Sequence, residues 1–93
     1  VQHAPVLQDL QQTLGLNHPF VARTYLNIAS IYYHMSQYEE AMSNEQKALE
    51  ILQKTVPETH FLLGSTHNQI AVTFLALKQF DTALTHFQKA LNI

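Results

Sequence analysis

The chain has 93 residues, 46% of them hydrophobic and 13% charged, with five Lys and Arg against seven Asp and Glu for a formal net charge of −2. A chain this short buries only about two-thirds of the surface it exposes when unfolded, so it builds one modest core and one small domain. The few basic residues form no stripe that could neutralise phosphates, which disfavours a nucleic-acid partner. The longest nearly apolar run, residues 70–77, is far too short to cross a bilayer. With no cysteine, disulfides and thiol chemistry are excluded.

In chain order, the first segment is read from what it repeats. Leu7, Leu10, Gln11 and Thr13 recur 42 places on as Leu49, Leu52, Gln53 and Thr55, so residues 1–16 read as the end of an earlier repeat's second helix plus a connection. A repeat unit then spans 17–58. Asn17 is a candidate cap, and Pro19 fits a first helical turn, where its missing N–H costs nothing. Val21, Tyr25, Ile28, Ala29 and Tyr32 fall at helical spacing and predict one amphipathic helix. A break near Ser36 and Gln37 precedes a second helix carrying Tyr38, Ala41, Met42, Ala48, Leu49 and Leu52, with Glu39 and Glu40 near its positive dipole end. Pro57 stops that helix, and 56–60 reads as the connection onward.

The second unit, 59–93, repeats the first. Ile28, Ala29, Gln37, Ala41 and Ile51 are identical to Ile70, Ala71, Gln79, Ala83 and Ile93, and the block Gln46-Lys47-Ala48-Leu49 returns as Gln88-Lys89-Ala90-Leu91. Tyr32 and Tyr38 give way to Phe74 and Phe80, and the second break falls near Lys78 and Gln79. Residue 93 lies inside this unit's second helix, which predicts a cut array. Exposed apolar ends are then expected to drive self-association.

Tyr25, Ile28, Ala29, Tyr32, Tyr38, Ala41 and Ala48, and in the second unit Ile70, Ala71, Phe74, Phe80, Ala83, Phe87 and Ala90, supply large, small and aromatic residues where the tetratricopeptide motif has them. The chain resembles that family. Its period, with Leu-Gly-Leu-Asn-His-Pro at 14–19, resembles the longer repeats of kinesin light chains. The resemblance implies an all-α, right-handed α-solenoid of helix-turn-helix hairpins. Ala29, Ala41 and Ala48 are expected where paired helices approach too closely for a longer side chain. The family's usual glycine between the helices is Ser36 in one unit and Lys78 in the other. A non-glycine residue in a left-handed conformation costs about 1 kcal/mol, so looser or differently shaped turns are expected there.

Carried over from the family, the concave wall that binds partners consists of Arg23, Leu26, Asn27, Ser30, Tyr33 and His34 from the first unit and Ser65, Asn68, Gln69, Val72 and Leu75 from the second. The resemblance implies that Asn27 and Asn68 clamp a peptide backbone, while Leu26, Tyr33, Val72 and Leu75 receive its apolar anchors. Arg23 is the one firm positive charge on this wall, so an acidic ligand is only weakly favoured. Leu26, Ser30 and Val72 stand where the chaperone-binding subfamily has its Lys, Arg and Asn clamp, which disfavours a chaperone tail.

No catalytic site, metal or cofactor is expected. The six histidines, His3, His18, His34, His60, His67 and His86, lack the pairing with acids at helical spacing that a zinc site needs. His18 and His60 recur at helix starts and read as structural. Asp9, Asp81 and the glutamates read as solvent-facing, with no acid and base pair among them. The expected role is a cytoplasmic, non-enzymatic adaptor for a protein or peptide. Self-assembly, or regulation of an enzyme elsewhere in a longer chain, are the alternatives.

Overall fold

A computed structural model describes residues 19–58 and 60–93. Asn17, His18 and the segment 1–16 lie outside the described residues. Among the described residues four helices follow one another: α1 (Pro19–His34), α2 (Tyr38–Thr55), α3 (Phe61–Ala76) and α4 (Phe80–Leu91). The architecture is all-α, a solenoid of helical hairpins. Each helix packs on the next, α1 on α2, α2 on α3 and α3 on α4, in a slab 13 Å thick between Cα extremes.

The hairpin turns are closed by the same bonds. Gln37 N–H donates to Tyr32 O and Ser36 N–H to Tyr33 O; Gln79 N–H donates to Phe74 O and Lys78 N–H to Leu75 O. Ser36 and Lys78 take φ of 62° and 64°. This is the paired-bond helix stop usually built around glycine. The expectation of loose or altered turns is therefore corrected: satisfying the last carbonyls of α1 and α3 outweighs the modest strain of a Cβ at positive φ, and both turns take one shape.

Other ends have separate causes. α1 begins at Pro19. α2 carries Glu39 and Glu40 in its first turn and Lys54 in its last, complementing its dipole, and stops ahead of Pro57. α3 is capped by His60, whose Nδ1 accepts from Leu62 N–H at 3.1 Å.

The core lies where three helices meet. Val21, Leu26 and Ile28 from α1 pack with Leu49 and Leu52 from α2 and Ile70 from α3. Ala29, Ala41 and Ala48 are fully enclosed, which lets the helix backbones come close. On α4 only Ala83 is buried.

Candidate functional site

α1 and α3 meet directly: the Gln69 side-chain amide donates to the Leu26 carbonyl at 3.0 Å. The wall residues expected from the sequence differ in exposure. Arg23, Asn27 and His34 of α1 are exposed, as are Ser65, Asn68 and Leu75 of α3, while Ser30, Tyr33, Gln69 and Val72 are half-buried. His34 Nδ1–H donates to Ser30 O at 2.7 Å, which fixes that ring's tautomer and direction. Tyr33 sits between two rings, edge-on to His34 at 5.6 Å and tilted against Tyr38 at 5.3 Å. Tyr38 was not among the expected wall residues. Its position just past the α1–α2 turn is the sequence signal that brings it back to the end of α1.

Leu26 is a correction. It is 7% exposed and belongs to the core, so it presents no apolar pocket on the wall. Its repeat-equivalent Asn68 stays exposed. The difference is packing: Leu26 lies in the core cluster that residues of α1, α2 and α3 form together, and Asn68 does not. Gln69 likewise spends its amide on joining the helices.

The glutamates also need correcting. Glu45 is completely buried. One of its carboxyl oxygens accepts from Thr73 Oγ1–H at 2.8 Å, and the other has no partner. Burial pushes the carboxyl up from 4.5 to about 7, only partly countered by hydrogen bonds from Thr73 and Gln69. The sequence did hold a clue, because the repeat aligns Glu45 with Phe87 and with the apolar stripe of its own helix.

The packing of α4 on α3 brings His67 and His86 together, with Nδ1 atoms 3.0 Å apart. One ring must donate and the other accept, so the pair is held by a single proton. Burial above all, then His86 and Lys89, lowers the pKa of His67; burial, then Lys89, lowers that of His86. Phe74 stacks on His86 at 5.7 Å. Nineteen residues separate the two histidines, beyond the reach of spacing rules within one helix. Among the described residues no three metal-ligating side chains converge.

A cavity of about 340 Å³ opens beside this pair, lined by Gln53, Val56, Glu58, Leu63, His67 and Ile93. None of the expected wall residues contributes to it. Among the described residues no helix is long and apolar enough to cross a membrane.

Two models of the tetratricopeptide repeat match the sequence, over residues 3–54 and 64–93. A comparison with curated proteins finds no match. The first match alone spans more than half of the chain, and the second falls on α3 and α4. The repeated hairpins, the enclosed alanines and these matches agree: the chain belongs to the tetratricopeptide repeat family.

Proposed function

We propose that this chain is an adaptor module that holds a peptide segment of a partner protein against the strip formed by α1 and α3. Tetratricopeptide repeats generally mediate protein–protein interaction, and proteins built from them are generally non-enzymatic scaffolds. The observation that supports the finer reading is the Gln69–Leu26 hydrogen bond, which brings α3 to α1. Exposed Asn27 and Asn68, two groups that both donate and accept, would then share a surface with exposed Leu75 and half-buried Tyr33 and Val72. Backbone-clamping amides beside apolar anchor points suit an extended or helical peptide of low charge. Arg23 adds a weak preference for an acidic residue. A cytoplasmic, kinesin-light-chain-like adaptor working without nucleic acid is the form of this reading that the repeat period and the low charge favour.

Random-peptide display against the chain tests it, with Asn68→Asp combined with Tyr33→Ala as control. The expected outcome is a shared motif that the wild type selects and the double variant, still helical by circular dichroism, loses. Selection of no motif by helical wild-type protein overturns the reading.

A second reading, self-assembly, is favoured by the apolar side of α4, where Phe80 is 60%, Leu84 56% and Leu91 84% exposed. Light scattering showing a stable monomer at all concentrations removes it.

A further inference from the structure

The two hairpins meet where α2 packs on α3, and one carboxylic acid is enclosed in that seam. Glu45 projects from α2 into contact with Thr73 of α3, and one turn back along α3 Gln69 reaches α1 through the Leu26 carbonyl. The three helices are thus tied by a short polar chain inside an otherwise apolar junction. It has no counterpart in the second unit, where the place of Glu45 is taken by Phe87 and the alignment puts no acid at the corresponding level of α4. A fully buried carboxylate needs a cation or several donors. Here the groups that face it are the Thr73 hydroxyl and the Gln69 amide of α3; α1 offers the Leu26 carbonyl, already taken by Gln69, and no charged side chain of α1, α2 or α3 is paired with it. Its second oxygen is buried without a partner.

We propose that the seam between the hairpins is a proton-operated joint: with Glu45 uncharged the units lock in register, and loss of its proton to solvent loosens α3 from α2. A neutral carboxyl still accepts the Thr73 hydrogen bond and leaves no net charge in the apolar junction. The ionised form keeps that bond but strands a charge with one unsatisfied oxygen, and opening the seam to water relieves it. The sign follows from linkage. The folded chain holds the proton more tightly than the unfolded chain, so stability is greatest below the ordinary glutamate range and falls as pH rises until the folded carboxyl has ionised. With burial moving the group from 4.5 to about 7, the folding equilibrium constant changes by at most about 300-fold between those limits. Because the joint sets how α3 sits beside α1, it would also set the spacing of the binding strip. That consequence alone rests on the proposed peptide binding.

Two measurements on the same chain test the joint without any peptide. Carbon-detected NMR of the side-chain carboxyls from pH 4 to 9 should show one signal titrating near neutrality, absent in Glu45→Gln, and the Thr73 and Gln69 side-chain signals should move with the same midpoint. A Glu45 carboxyl titrating in the ordinary glutamate range overturns the proposal, as does a neutral midpoint that Thr73 and Gln69 do not follow. Urea unfolding should show wild type losing stability from pH 5 to pH 8 while Glu45→Gln, neutral at every pH, loses much less and is the more stable at pH 8. Parallel loss in both proteins overturns it. The titration is read on wild-type protein, so a poorly folding variant does not spare the proposal.

Discussion

The second helices of the two units contain the same four residues in the same order, and their fates differ. In α2, Leu49 of the Gln-Lys-Ala-Leu block is 8% exposed, whereas in α4 the matching Leu91 is 84% exposed. α2 lies between α1 and α3; α4 packs on α3. Local sequence therefore decides that both segments are amphipathic helices, while burial is decided by whether a further helix lies against the apolar stripe. Glu45 sharpens the contrast, since the covered helix carries the acid and the uncovered one carries Phe87 in its place.

The most direct way to break this comparison is a matched pair of truncations. Leu49→Ala removes a side chain enclosed by core neighbours and is expected to cost about 2–5 kcal/mol. Leu91→Ala should change stability by no more than about 0.5 kcal/mol, the range of surface substitutions. Urea unfolding followed by circular dichroism reads both. Equal losses would mean that α4 buries its stripe in solution, against another copy of the chain or another segment of it.

The turns supply a smaller test in the opposite sense, because there the units agree. Ser36 and Lys78 hold positive φ in stops with identical bonding. Replacing either by glycine removes the crowding of a Cβ in that conformation and is expected to stabilise by up to about 1 kcal/mol. The gains should match to within a few tenths. Clearly unequal gains in thermal unfolding would show that the turns differ in strain despite their common bonds.

How much of this was legible beforehand varies with the reach of the interaction. The helices, their breaks at Ser36 and Lys78 and the stop before Pro57 follow from contacts within a few residues, and the period of the sequence exposes them. Which wall positions face outward does not. Leu26 and Asn68 are equivalent by repeat, yet one is enclosed and the other exposed, because exposure depends on a neighbouring helix and not on the motif. Glu45 departs from the expectation because an acid in a helix is ordinarily solvated; in the sequence only its alignment with Phe87 points to burial. His67 and His86 come together across two helices, and no single-helix pattern encodes such a contact.

That histidine pair gives the last comparison between the units. Its counterparts in the first unit are Tyr25 and Asn44, and the lysine one turn beyond is retained, as Lys47 and Lys89. Lys47 Nζ sits 5.6 Å from the centre of the Tyr25 ring, a favourable contact at any pH where the lysine is charged. Lys89 instead opposes protonation of His67 and His86, in addition to the larger effect of burial. Both folded values lie below the unfolded one, so the stability this pair contributes is present above about pH 6.5 and is lost as pH falls, when the unfolded chain takes up protons that the folded pair resists. Glu45 works in the other direction over an overlapping range, so the effect is best read in the Glu45→Gln background. There, lowering pH from 7.5 to 5.5 is expected to reduce the melting temperature, and His86→Asn, which installs the first unit's residue, should flatten that dependence. A slope unchanged by His86→Asn would mean that the two rings do not share their proton in solution, and that α4 is held to α3 by apolar packing through Ala83 and Phe74 without the pair.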